Sequence, residues 1–462
     1  MHFPELNRII FQKKTSIRSV LKRFDETAVQ TEGKGFAIIV DKNQKCIGVV
    51  SEGDIRSGLI KNLSIDSEIL LVMNTNYLFV SDQDSSHQIL RQFDKRVSNL
   101  PVLNLDGIPV DLYRYSDFVV SKQVDQKIIR ARVPVRISFS GGGTDISAYF
   151  NNFPSIVLCS TINKYCTASV IVRSDCEIHI ISKDLNISYI AKSIEEIKFG
   201  DDLDLIKSAI KIMEPNFGFN LETFAEFEPG TGLGGSSALV VSVLGALNHF
   251  RNEQQLDFYQ LADLAYQVER IDMNMHGGWQ DQYATSFGGF NWIEFKKNKV
   301  IVNPLLMRRE VLLELEYNLM LFKLEGRHDS GSIQEDYIDK INKKEVDNKL
   351  IDQMKALVLK MKESLLLGQV KSFGDLLHES WELKQKMNQS VTNAYVNKCY
   401  KIARNNGALG GKLLGAGKTG YLLIYASPLY QKSIKDSLAK KGVIQELFKF
   451  DKNGLEVWST KR

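Results

Sequence analysis

A chain of 462 residues, 44% apolar and 25% charged, has room for two or three domains at ~100–200 residues each and for an ample core. Its 59 basic and 55 acidic residues leave a net charge of only +4, which gives no argument for nucleic-acid or membrane binding. Any basic site must be local. Five cysteines (Cys46, Cys159, Cys166, Cys176 and Cys399) are odd in number and lack C-x-x-C spacing. Buried thiols in a reducing cytosol are therefore expected, rather than a disulfide framework or a zinc site. The first residues, Met1 to Arg8, lack a basic-then-apolar signal pattern. The longest apolar run, Ala238 to Leu247, is about half a membrane span. A cytoplasmic protein is expected.

The first 125 residues contain a repeat. Phe36 to Asp54 reads as strand, turn, strand and helix, and a weaker copy follows about 63 residues later at Leu100 to Asp117. Apolar positions at helical spacing precede each copy, at Ile17, Val20, Leu21 and Phe24 and at Ile89, Leu90 and Phe93. One such unit cannot bury its apolar face alone, so the two are expected to pack as one module. The pattern resembles a pair of CBS domains. The resemblance implies an adenine nucleotide between the halves, with Ser51 and Asp54 matching the Ser/Thr-x-x-Asp that holds its ribose. The second copy departs at Asp111 to Arg114, so at most one nucleotide site is expected; the alternative is a scaffold or dimerisation module that binds nothing. Val119 to Gln126 is polar enough for a linker.

Ile128 to Arg136 predicts a strand, followed by the glycine loop Ser138 to Asp145, where Gly141, Gly142 and Gly143 let a ligand approach the backbone. Asp145 can accept hydrogen bonds from sugar hydroxyls. Arg130, Arg132 and Arg136 share one strand face, either solvated or opposite a phosphate. Lys164 adds a cation after the strand Ser155 to Ile162. Phe219, Leu221, Thr223, Ala225 and Phe227 alternate as in a strand, and Glu228 to Leu244 then passes through four glycines and two serines into an apolar run. Three readings fit that loop. The spacing of Gly230, Gly232 and Gly235 matches G-x-G-x-x-G, but a second helix (Phe258 to Val268) follows where a dinucleotide fold needs a strand. A plain glycine turn would have Ser236 or Ser237 as N-cap. The third reading, and the one favoured, is a triphosphate cradle.

Downstream, Glu269 suits Mg²⁺, and Asp281, after the glycine-led turn Gly277-Gly278-Trp279-Gln280, suits a reacting hydroxyl. Gly410 to Gly420 contains Gly417-Lys418-Thr419. It is not a P-loop, because Lys412 occupies the first glycine position and a strand, Tyr421 to Tyr425, follows.

Three glycine loops in this order, with Pro-x-x-Gly-Leu-Gly-Gly-Ser-Ser-Ala in the middle, resemble the GHMP kinases over roughly Ile128 to Arg462. The resemblance implies an α+β chain: a two-domain kinase fold (126–305 and 306–462) preceded by the CBS pair over 1–125, an α/β repeat module. It implies that ATP lies on Pro229, Gly230, Gly232, Leu233, Gly234, Gly235, Ser236 and Ser237, with Gly415 and Gly417 of the third loop closing over it. Mg²⁺ is implied at Ser237 and Glu269. Arg136 is implied beside the transferred phosphate and Asp281 as the catalytic base. Gly142, Gly143, Thr144, Asp145, Arg132, Lys164 and Trp279 are implied on the substrate. Lys418-Thr419 departs from the family's usual glycines, so the third loop is either stiffer or in contact with phosphate.

Within the family the motifs resemble kinases of D-glycero-D-manno-heptose 7-phosphate, which phosphorylate the anomeric hydroxyl to give the 1,7-bisphosphate. The expected partners are a sugar phosphate, ATP and an adenine nucleotide at the CBS pair, with no nucleic acid and no membrane; a homodimer stays open. Two alternatives stand beside this reading: a kinase of another sugar, fucose- or galactose-like, and a nucleotide-sensing protein with an inactive kinase part.

Overall fold

The computed structural model describes residues 6–27, 35–82, 84, 92–93, 97–114, 127–297, 299–325, 330–343 and 345–461. Ile89, Leu90, the pair Ser116-Asp117 and the linker Val119 to Gln126 lie outside them. By its contacts the chain divides into two units, Met1–Gln126 and Lys127–Arg462.

In the first unit the repeat is visible bond by bond. Ile10–Gln12 pairs in parallel with Phe36–Val40, which pairs antiparallel with Cys46–Ser51. Val80–Ser81, Asn99–Leu103 and Pro109–Arg114 repeat that arrangement. Both hairpins slip register at the same point, between Ile39 and Val40 and between Val102 and Leu103. Both turns are closed by a side chain of the Asx type: Asp41 Oδ1 accepts from the Asn43 and Lys45 amides, and Asn104 Oδ1 from those of Asp106 and Ile108. The copies part at the helix start. Ser51 and Asp54 form a capping box, with Asp54 Oδ2 2.6 Å from the Ser51 hydroxyl and 2.8 Å from its amide. By the pairing of the two hairpins, Ser51 corresponds to Arg114 in the second copy, whose guanidinium has no acceptor; the residues that follow it lie outside those described.

The second unit is built on a nine-stranded, mostly antiparallel sheet and a four-stranded antiparallel one. The larger sheet is centred on two long strands, Lys127–Ser140 and Ser155–Val172, joined as neighbours. Phe219–Ala225 pairs with the second of these, burying Phe219, Leu221 and Thr223 and exposing the residues between to a greater degree. The helix Gly235–Asn248 packs on both long strands. It is buried almost all round from Ser237 to Asn248, as an apolar sequence without a polar face requires. The smaller sheet runs in the order Gly410–Leu413, Tyr421–Tyr425, Leu319–Lys323, Ile444–Glu446. One core joins the two sheets, from Val133 and Ile137 through Leu244 to Leu321, Leu423 and Leu455. Two late strands return to the larger sheet: Phe450–Asp451 pairs with Ser155–Val172, and Glu456–Lys461 with Lys127–Ser140. The intervals 126–305 and 306–462 therefore do not coincide with the two sheets.

All five cysteines are free; Cys159, Cys166 and Cys399 are buried, Cys46 is half-buried and Cys176 is exposed. Among the described residues no helix is long and apolar enough to cross a membrane.

Candidate active site

The central loop leaves the strand Phe219–Ala225 and turns through Gly230, Gly232 and Gly234, whose φ angles are +76°, +78° and +75°. These conformations suit glycine. Gly234 is the N-cap of the helix Gly235–Asn248, and no side chain caps it. Neither Ser236 nor Ser237 takes the capping role weighed for them. First-turn N–H groups of an α-helix have no intrahelical partner, so an uncapped start keeps donors and the positive dipole end for an anion.

Ser237 instead points inward. Its hydroxyl donates to Glu269 Oε2 at 2.6 Å, and Gln282 Nε2 donates to the same oxygen. Glu269 sits in a single π-helical turn, Gln267–Asp272, and is fully buried. Its other oxygen, Oε1, is buried with no hydrogen-bond partner among the described residues; the Arg270 guanidinium lies 3.9 Å away. A buried carboxylate oxygen that accepts no hydrogen bond from the described residues, beside a hydroxyl, fits a hard cation such as Mg²⁺, which takes oxygen ligands.

The first and third glycine loops meet this one at a cavity of about 380 Å³. Gly142, Gly143, Asp145, Arg136, Asp281, Pro229, Gly230, Gly232, Gly234, Gly235, Ser236, Gly415 and Gly417 line it. Gly232 and Gly415 touch backbone to backbone: a Cβ on Gly415 would lie 2.3 Å from Gly232 Cα. Lys418 has a left-handed φ of +61°, and its amide donates to Val391 O at 2.9 Å. The third loop connects two strands, Gly410–Leu413 and Tyr421–Tyr425, as a non-P-loop reading requires.

Arg136 is 4% exposed and holds Asp281 through two parallel bonds, Nε to Oδ1 at 2.8 Å and Nη2 to Oδ2 at 2.7 Å. Its Nη1 donates to Gly232 O at 2.7 Å. The fork fixes the carboxylate in position and leaves lone pairs on both oxygens for a further donor. Asp145 accepts from the Gly143 amide at 2.8 Å and the Gln280 amide at 3.1 Å. Burial pushes its carboxyl above the usual carboxylate range, and the Asp281 charge adds to this, against the pull of those two amides.

Two cations were invisible to motif reading. Lys384, on the helix Val370–Met387, donates to Gly415 O at 2.6 Å; Lys412, on the strand Gly410–Leu413, donates to Phe139 O at 3.0 Å. Both line the cavity. Burial, with Arg136 nearby, brings Lys384 down to about 8. Burial, Lys384 and Arg136 hold Lys412 well below the ordinary lysine value. The Arg136 guanidinium and two lysine amines converge on one space, and all three can donate to an anion there. The only signal in the sequence was Lys412 beside a glycine loop, and Lys384 had none.

Other expected residues lie elsewhere. Arg132 pairs with Glu456 at 2.5 Å and stacks over Tyr165, and Lys164 pairs with Glu446 at 2.6 Å. Trp279 stacks on Tyr266 with ring centroids 3.7 Å apart and donates to Ser147 Oγ, and it is not among the residues lining the cavity. Thr144 closes the first loop by donating to Gly141 O, and Leu233 is core.

Three descriptions of known families match the chain: GHMP kinases N terminal domain over residues 204–289, GHMP kinases C terminal over 361–444, and CBS domain over 7–61. A D-glycero-alpha-D-manno-heptose 7-phosphate kinase of Campylobacter jejuni is 36% identical over 343 residues, covering 72% of this chain and 99% of that protein. Among solved structures, a D-glycero-D-manno-heptose 1-phosphate kinase from Bacteroides thetaiotaomicron superposes with a TM-score of 0.60 at 29% identity, over 71% of this chain and 98% of that one. A putative sugar kinase from Campylobacter jejuni does so with a TM-score of 0.60 at 33% identity, over 72% and 98%.

Proposed function

The chain belongs to the GHMP kinase family, and from that premise we propose that it transfers the γ-phosphoryl group of ATP to the anomeric hydroxyl of a sugar phosphate such as D-glycero-D-manno-heptose 7-phosphate. At the coarser level it is a sugar kinase of that family, with a CBS domain ahead of the kinase unit. The observation that carries the finer reading is the cavity in which an uncapped helix start, Arg136, Lys384 and Lys412 face two carboxylates. Relatives named for heptose phosphates support the substrate class.

In the proposed mechanism, the central loop and the start of the helix Gly235–Asn248 cradle the ATP phosphates through backbone N–H groups. Ser237 and Glu269 would hold Mg²⁺, which supplies charge neutralisation on the phosphate oxygens when bound. Arg136, Lys384 and Lys412 stabilise the charge on the phosphoryl group in flight, the main task in such transfers. Asp281, fixed by Arg136, accepts a hydrogen bond from the acceptor hydroxyl and orients it, taking its proton as the new P–O bond forms and the bond to ADP breaks. Asp145 binds neighbouring hydroxyls.

ADP release from the full-length protein, assayed over heptose phosphates, hexose phosphates and the unphosphorylated sugars, tests this. Turnover of the heptose 7-phosphate with a product labile at C1 is expected. No turnover of any acceptor by folded protein would refute the proposal, and a preference for fucose or galactose would move it to the other sugar.

A further inference from the structure

Three residues that line the cavity each carry a buried side-chain atom with no hydrogen-bond partner among the described residues: Arg270 Nε, Gln280 Nε2 and Tyr337 Oη. A buried polar atom without a partner calls for an explanation, and three of them on residues that line one cavity point to a ligand. They surround Asp145. Arg270 Nη2 donates to Gly278 O at 3.4 Å, and Gly278 packs so closely on the Asp145 carboxylate that a Cβ there would lie 2.0 Å from Oδ2. The Gln280 amide donates to that same oxygen. Tyr337 lies over Gly143, where a Cβ would meet the ring at 3.2 Å, and the Gly143 amide donates to Asp145 Oδ1.

The chemistry of this set is one-sided. Gln280 Oε1 already accepts from Ser138 Oγ at 3.0 Å, so only its NH₂ end is available. A guanidinium has no acceptor, and a tyrosine hydroxyl donates readily. Sugar hydroxyls need acceptors as well as donors, and Asp145 and Asp281 supply those. Three donors, one of them cationic, match an oxyanion.

We infer that Arg270, Gln280 and Tyr337 form a subsite for a phosphate monoester already carried by the acceptor sugar. This rests on the reading of the chain as a sugar-phosphate kinase. It supplies the anion partner that Arg132 and Lys164, engaged with Glu456 and Glu446, do not.

The test compares Arg270→Met and Tyr337→Phe with the parent protein on D-glycero-D-manno-heptose 7-phosphate and on the unphosphorylated heptose. Hydrogen bonds to a charged group lead us to expect kcat/KM for the phosphate ester to fall roughly 10- to 100-fold more than for the free sugar. Equal losses on both acceptors would overturn the subsite while leaving the kinase reading intact. Tyr337→Phe removes an oxygen that has no hydrogen-bond partner among the described residues, so its Tm should hold; a collapse of Tm would mark a structural role and count against the proposal. A binding arm does not depend on turnover: with ADP filling the nucleotide half, D-mannose 6-phosphate should raise the Tm of the parent protein more than D-mannose does, and Tyr337→Phe should lose that difference. If no sugar is phosphorylated, the kinase reading fails and this arm alone decides the subsite; no difference between the two sugars in the parent protein overturns it.

Discussion

Lys384 shares its cavity with Arg136, Lys412, Asp145 and Asp281, and burial brings it down to about 8. Folding lowers this pKa, so between about 8 and the ordinary lysine value the unfolded chain binds more protons than the folded one. Through this group, stability rises with pH across that window. Activity should move the other way, since a neutral amine no longer balances phosphoryl charge. The pH profile of kcat/KM should fall as pH rises through about 8, and Lys384→Arg, whose side chain stays charged, should shift that limb upward. An alkaline limb unmoved in the variant would remove Lys384 from the charge balance. None of this was readable from sequence, because Lys384 sits on an amphipathic helix where lysines normally face solvent. Arg132 shows the reverse case. It lies in the expected strand, but the carboxylate that engages it, Glu456, is 324 residues away. Arg136, Asp281 and Asp145 were legible because glycine motifs flank them. Arg270 and Tyr337 stand out only once their unpartnered atoms are seen.

At the level of elements, the glycine loops work as a contacting pair. Gly415 has φ +71° and stands against Gly232 Cα. Gly415→Ala meets both a left-handed backbone, which costs about 1–2 kcal/mol in a residue with a Cβ, and a clash that pushes the central loop away. We expect a lower Tm and a raised KM for ATP, with the KM for the sugar less affected; an unchanged KM for ATP would mean that the two loops act independently. Strands were legible where the residues alternated, as at Phe219–Ala225, or formed a short apolar run after a glycine loop, as at Tyr421–Tyr425. The helix start was misread in one option: serine is the common N-cap, yet Gly234 takes the position and releases Ser237 to reach Glu269. Local propensity gave way to the demands of the site.

For the molecule as a whole, the order of three motifs made the kinase fold legible, and a 63-residue offset made the repeat legible. The return of late strands to the first sheet carried no local signal. In the repeat module Asp54 caps its own helix, which still leaves it lone pairs for a ribose. If the module regulates the kinase, AMP added to the full-length protein should change the KM for ATP or for the sugar, and Asp54→Ala should abolish that response. Kinetics indifferent to AMP would leave the module a scaffold.

The pairing of Glu456–Lys461 with Lys127–Ser140 bears on how the chain comes to be made. A strand laid down early in the second unit waits, its edge unpaired, for more than three hundred further residues to leave the ribosome. Closing so long a loop is slow, whereas each hairpin of the 63-residue repeat pairs within a short stretch of chain. During synthesis the repeat module can form early, and the kinase unit completes its sheet among the last events. An interrupted message would thus yield a protein with a formed repeat module and an open, adhesive sheet edge.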